Sequence, residues 1–311
     1  MPSRIILDVD TGTDDAVALM LAALSPDLEL VGATTVVGNC PAAICTENTL
    51  RVFQHIGVDI PVYQGMVEPL ARPDFPRSGP SVIHGDYLDL SAARSSARQQ
   101  HAVDWLVETL LASEGDITLL PVGPLTNIAA AIKKEPRVLD KIPELIIMGG
   151  AHHVGNRTPS AEFNIWVDPE AARIVLGSGL PIRLVPLDAT HKALLALADC
   201  SQLRALGTPA AEASAAFTER RIESYSRYQP MNRPDAAPVH DALAVCALLE
   251  PDILTTEFIY VDVETRGELT AGRTVCDFGR RSGKQPNVHF AVDAHTQRFK
   301  EMLVEILGRT S

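Results

Sequence analysis

The chain has 311 residues, 46% hydrophobic and 21% charged, with a formal net charge of -12 and a pI near 5.2. The apolar content suffices for a large core, and one α/β domain spanning residues 1–311 is the simplest organisation for this length. The acidic balance argues against a nucleic-acid or anionic-membrane surface and favours small or cationic partners.

The five cysteines, Cys40, Cys45, Cys200, Cys246 and Cys276, have no spacing that suggests zinc and read as reduced, structural thiols. The N-terminal apolar run is short and meets acids at once, unlike a signal or transit peptide. No uninterrupted apolar run approaches the ~18 residues of a membrane helix. A cytoplasmic location, with no membrane partner, is therefore expected.

In chain order, Ile5, Ile6 and Leu7 read as the end of a buried parallel strand. Asp8 and Asp10 follow it, and strand alternation puts both carboxylates on one face. Gly12 allows a tight turn, Thr13 is the expected N-cap, and Asp14 and Asp15 fall in the first turn of a helix that runs on through AVALMLAAL. This strand, acidic turn and helix place a site where open α/β sheets bind ligands, at a strand's carboxyl end.

Helix capping accounts for two acids at a helix start, but here Asp8, Asp10, Asp14 and Asp15 lie within eight residues. Bringing Asp10 and Asp15 together requires a raised pKa or a counter-charge. Oxygen ligands without nearby Cys or His favour a hard cation such as calcium or magnesium.

LELVGATTVVG (28–38) reads as a second strand and 41–56 as a helix, with Asn39 between them either as a turn residue or on the same rim as Asp10. Residues 61–100 form a long loop region in which His84 is a candidate binding residue. A helix begins near His101, DITLLPVGPLTNIAAAI (116–132) repeats the strand, turn and helix pattern, and ELIIMGG (144–150) is a further strand. In the next loop Glu162 and Asn164 are two apart and share a direction if extended, with Asn156 nearby; an ordinary polar surface loop is the competing reading. Asp168-Pro169-Glu170 starts a helix by acid capping.

PIRLVPLD (181–188) is another strand, followed by mainly helical sequence to about Tyr228. His240-Asp241 opens an apolar helix, with the imidazole a possible proton donor. EFIYVDVETRGELTAGRTVCDF reads as a hairpin-like pair, and a closing helix starts near Asp293. The expected fold is an open, mostly parallel Rossmann-like sheet flanked by helices, with a small β-hairpin near the C-terminus.

The motifs DVDTGTDDAVAL, VVGN, PVGPLTN, IIMGG, GNRTPSAEFN with DPEAA, HDALAV and VETRGELTAGRTVCD, in that order, resemble the nucleoside hydrolase family of the inosine-uridine-preferring type over nearly the whole chain. The resemblance implies calcium-dependent hydrolysis of the N-glycosidic bond of ribonucleosides. It implies a Ca2+ ion held by Asp10, Asp15, the backbone carbonyl of Thr126, and Asp241. Asp10 would act as general base on the attacking water. Asp14, Asn39, Met148, Asn156, Glu162 and Asn164 would bind the nucleoside, chiefly its ribose.

His240 is the first candidate acid for the departing base, with His84 second. Tyr225 and Tyr228, on a helix leading towards His240, could contact the base or simply pack. Two departures from the family pattern stand out: Thr11 where Pro is common, and HGDYLDL without a glycine-rich continuation. They leave base preference open. The expected partner is a small nucleoside, and a homodimer or homotetramer is the expected assembly.

Two other readings compete. A haloacid-dehalogenase phosphatase also pairs two aspartates after its first strand, but requires Thr or Val where this chain has Gly12. A calcium-dependent ribose or nucleoside binder without turnover would keep the same acids.

Overall fold

The computed structural model describes residues 2–72 and 86–310. The first strand, β1 (Ser3–Val9), is buried from Ile5 onward, and its alternation divides the core. Ile5, Leu7 and Val9 face one hydrophobic cluster and Ile6 the other. The helix α1 (Thr13–Leu24) is buried at all but one position because α2 (Ala42–His55), α9 (Pro209–Tyr228), α10 (His240–Leu249) and α11 (Thr296–Leu307) pack around it. Such a helix is apolar all round instead of striped.

Strands β2 (Leu28–Thr35) and β3 (Val62–Gln64) lie on one side of β1, and β4 (Ile117–Pro121), β5 (Leu145–Met148) and β6 (Ile182–Val185) on the other. Their pairings are parallel. The order β3-β2-β1-β4-β5-β6 reverses between β1 and β4, which opens a crevice at the carboxyl ends of these two strands. On the face opposite α1 the core is closed by α3 (Ala102–Ala112), α4 (Thr126–Lys134) and α6 (Pro169–Leu176), so the expected parallel sheet between two helical layers is present.

The C-terminal part departs in detail from the sequence reading. The hairpin forms from β9 (Leu254–Val263) and β10 (Thr274–Asp277), with Val263 opposite Thr274. A strand not read from the sequence, β11 (Val288–Ala294), pairs parallel to β6 and antiparallel to β9. The hairpin is thereby joined to a single nine-stranded sheet. The closing helix starts at Thr296, three residues later than expected.

The stretch read as mainly helical contains α7 (Leu187–Thr190), β7 (Leu194–Ala196), α8 (Leu197–Arg204) and α9. Strand β7 pairs with β8 (Ala236–Pro238) in a separate two-stranded sheet, a non-local partnership that periodicity cannot reveal. All five cysteines are free thiols. Among the described residues, no helix is long and apolar enough to cross a membrane.

Candidate active site

The acidic turn after β1 is fixed by its own backbone. Gly12, in an extended conformation, is the N-cap of α1, and Thr13 is the helix's first residue, which corrects the assignment of Thr13 as cap. No hydroxyl is needed there because the Asp15 carboxylate reaches back. Its Oδ2 accepts the Gly12 N–H at 2.8 Å and its Oδ1 accepts the Asp10 N–H at 3.1 Å. The carboxylate thus satisfies an open helix-terminus donor while being aimed at the crevice.

Asp10 sits between the turns that follow β2 and β4. Its Oδ2 accepts the Asn39 N–H at 2.7 Å. A Cβ at Gly38 would lie 2.1 Å from Asp10 Oδ2, and one at Gly123 would lie 2.9 Å from Asp10 Oδ1. These two glycines exist to let backbone approach that carboxylate. Asn39 also turns its amide towards Asp15 Oδ2, at 3.5 Å.

Asp241 enters from the start of α10, where helix N–H groups favour negative charge. Carboxylate oxygens of Asp14, Asp15 and Asp241 lie within 4.8 Å of one another, and all three residues are buried. Asp10 adjoins this trio through Asp15. Burial pushes the Asp10 and Asp241 pKa values far up, reinforced by the neighbouring carboxylates, and raises Asp15 to about 6 by the same two causes.

Arg221, on α9, places Nη1 2.8 Å from Asp14 Oδ1 although both side chains are almost inaccessible. Its Nε donates to Pro238 O at 2.8 Å, and Nη1 to Thr13 Oγ1 at 3.3 Å. Among the described residues, the Arg221 guanidinium set against the carboxylates of Asp10, Asp14, Asp15 and Asp241 leaves a negative excess. A set made only of oxygens, desolvated and converging, fits a hard divalent cation. Arg221 was missed in the sequence because α9 carries several arginines and nothing in their spacing singles out the buried one.

Of the residues expected at the ribose, Met148, Asn156, Glu162 and Asn164 lie at the end of β5 and along the segment that follows it. Glu162 is the N-cap of α5 (Phe163–Val167), accepting Asn164 N–H at 2.8 Å on Oε1, with Gly150 N–H at 2.9 Å and Ile165 N–H at 3.2 Å on Oε2. Burial raises its pKa to about 7 despite those donors. Asn164 bridges the ends of β4 and β5, donating to Val122 O at 2.7 Å and Met148 O at 3.2 Å. Asn156 Oδ1 accepts the Phe163 N–H at 2.9 Å and so pins the preceding loop. Met148 is buried at the end of β5.

Thr126 opens α4, and its hydroxyl donates to Asp168 Oδ2 at 2.8 Å. Asp168 is the expected N-cap of α6 and also accepts the Leu70 N–H at 2.8 Å. Asp8 stands apart from the acidic trio in a network of its own: Oδ1 accepts from Thr34 Oγ1 at 2.6 Å and Asn127 Nδ2 at 2.7 Å, and burial raises its pKa to about 7.

On the remaining side, the buried His240 ring is held at both nitrogens, Nε2 by the Tyr225 hydroxyl at 2.6 Å and Nδ1 by Thr190 Oγ1 at 2.7 Å. Tyr228, one turn nearer the end of α9, is 55% exposed, so the two tyrosines have different surroundings. His84 lies outside the described residues.

The family model described as inosine-uridine preferring nucleoside hydrolase matches residues 5–301. A pyrimidine-specific ribonucleoside hydrolase, RihB, of Shigella flexneri serotype 5b is 39% identical over 306 residues, covering 97% of this chain and 96% of that protein. Among solved structures, a purine-preferring ribonucleoside hydrolase from Gardnerella vaginalis superposes with a TM-score of 0.90 at 33% identity, covering 98% of each chain. A plant nucleoside hydrolase, PpNRh1, superposes with a TM-score of 0.92 at 30% identity, covering 99% of each. The phosphatase and binding-only readings fall away, and this chain belongs to the inosine-uridine preferring nucleoside hydrolase family, enzymes that cleave the N-glycosidic bond of ribonucleosides.

Proposed function

We propose that the protein is a calcium-dependent ribonucleoside hydrolase in which Asp10, Asp15, Asp241 and the Thr126 carbonyl hold the ion. The observation that carries this reading is the convergence of buried Asp14, Asp15 and Asp241 oxygens within 4.8 Å beside Asp10. When bound, calcium would orient and acidify water and anchor ribose hydroxyls.

The protein's own groups account for the rest. Asp10, buried and held by Asn39 N–H, takes the proton of the attacking water. Asp14, kept in place by Arg221, joins Asn39, Asn156, Glu162 and Asn164 in orienting the ribose. The carboxylates stabilise the positive charge that develops on the sugar as the bond to the base breaks. Glu162 and Asn164 are fixed by backbone donors and carbonyls, so little reorganisation accompanies binding.

Protonation of the leaving base falls to the Tyr225–His240 pair. Both imidazole nitrogens are occupied, so the proton reaches the base through the Tyr225 hydroxyl, with His240 replenishing it. The relatives include pyrimidine-specific and purine-preferring enzymes, so base preference rests on measurement. Release of free ribose from inosine, adenosine, guanosine, uridine and cytidine, with and without calcium, tests the whole reading. Asp10→Ala should abolish turnover far more than it weakens ribose binding. Full activity in that variant, or in verified metal-free protein, would sink the mechanism.

A further inference from the structure

The helix α2 reaches the acidic turn at two places. Just before the helix begins, Asn39 N–H donates to Asp10 Oδ2 at 2.7 Å. In its second turn, Asn48 and Thr49 reach the carbonyl and the hydroxyl of Thr11. We propose that Asn48 and Thr49 are positioning residues for the calcium centre, acting through Thr11. The proposal rests on the reading of the acidic turn as the calcium site.

Asp15 straddles Thr11. One of its carboxylate oxygens accepts the N–H of Asp10, the residue before, at 3.1 Å, and the other accepts the N–H of Gly12, the residue after, at 2.8 Å. Whatever fixes Thr11 therefore fixes the two donors that aim Asp15, together with the backbone that carries Asp10. Thr11 is fully buried and its polar groups turn to α2: the carbonyl accepts from Asn48 Nδ2 at 3.0 Å, and the hydroxyl lies 2.6 Å from Thr49 Oγ1.

The direction of the second bond follows from its neighbour. Thr49 Oγ1 donates its one hydrogen to Cys45 O at 2.9 Å, so it accepts from Thr11. Asn48 is used in full, since Nδ2 also donates to Asp86 O at 3.1 Å and Oδ1 accepts the Leu88 N–H at 3.0 Å. Both side chains are buried, so water cannot stand in for a lost partner. One turn earlier, Thr46 pairs its hydroxyl with that of Thr35 at 2.7 Å, which fastens α2 to the end of β2, the strand beside β1.

The clustered carboxylates give this clamp its purpose. Repulsion among Asp10, Asp14, Asp15 and Asp241 favours an open turn before an ion arrives. Holding the turn closed in advance moves the cost of ordering it from binding to folding, which tightens binding. Loss of the groups that support metal ligands typically weakens metal affinity ~10–100-fold.

The test titrates calcium by calorimetry into the full chain, verified metal-free, well below its melting temperature. Thr49→Val should weaken calcium binding about tenfold, and Thr49→Ser, which keeps the hydroxyl, should bind as the wild type does. Thr11→Val should match Thr49→Val, and the double variant should be no weaker than either, because a single hydrogen bond is lost once. Asn48→Leu, which removes three hydrogen bonds, should weaken binding further. The Thr11 and Thr49 variants alter single hydroxyls and decide the question even if Asn48→Leu fails to fold. Affinities of the Val variants within about twofold of the wild type overturn the proposal, and lowered melting temperatures beside them would assign a merely structural role. Losses that add in the double variant overturn the route through the Thr11–Thr49 bond. No calcium binding by the wild type up to about 10 mM, beyond the range of protein calcium sites, overturns the calcium reading and this proposal together, whereas wild-type binding that the variants share overturns this proposal alone.

Discussion

Arg221 and Asp14 form a buried ion pair, 2.8 Å apart, that joins the middle of α9 to the acidic turn after β1. The guanidinium is the counter-charge of Asp14, which stands beside Asp15 and Asp241. Arg221→Met should destabilise the protein by about 3–5 kcal/mol, since it strands a buried carboxylate. Arg221→Lys should fall between, because an ammonium cannot span Asp14, Thr13 and Pro238 O together. Urea unfolding of the three proteins checks the order, and equal midpoints would refute it.

The two glycines around Asp10 give a prediction that separates catalysis from folding. Gly38→Ala and Gly123→Ala each push a methyl group into the Asp10 carboxylate, the first more severely, at 2.1 against 2.9 Å. Loss of position of a reacting group costs about 100-fold. We expect kcat to fall by that order in Gly38→Ala and by less in Gly123→Ala, with circular dichroism unchanged.

Stability should depend on pH in the direction opposite to that of most acidic surfaces. Asp15 titrates near 6 and Glu162 and Asp8 near 7 in the folded chain, all raised by burial from about 4 when unfolded. Between those values the native state binds more protons than the unfolded chain, so stability is greatest below pH 4 to 5 as far as these groups are concerned and falls as pH rises through 6 to 7. Metal-free protein should melt several degrees lower at pH 8 than at pH 5. The gain on adding calcium should grow with pH, because the ion favours the ionised acids. Thermal scans with chelator and with calcium read both trends, and a calcium gain that shrinks with pH would contradict them.

The Tyr225–His240 hydrogen bond predicts leaving-group selectivity. Tyr225→Phe and His240→Ala should each lower kcat for ordinary nucleosides by about 100-fold or more, the range of one acid catalyst. A 4-nitrophenyl riboside, whose leaving group departs as a stable anion, should lose little. Equal losses on both substrates would assign the pair to packing.

Much of this enzyme is set by local sequence. The alternation of Ile5 to Val9, the acids at the start of α1 and the prolines and acids opening later helices act within a few residues, where strand and helix geometry leave few options. That is why β1, α1, α2, the capping by Asp168 and the cluster of aspartates were legible directly, while the ordered motifs named the family. Tertiary structure alone decided that β11 slots between β6 and β9, that Arg221 is the buried arginine of α9, and that Tyr225 but not Tyr228 meets His240. Each depends on groups tens to hundreds of residues apart or on burial by several elements at once. The charge of an arginine or the hydroxyl of a tyrosine carries no mark of its partner until the chain has folded around it.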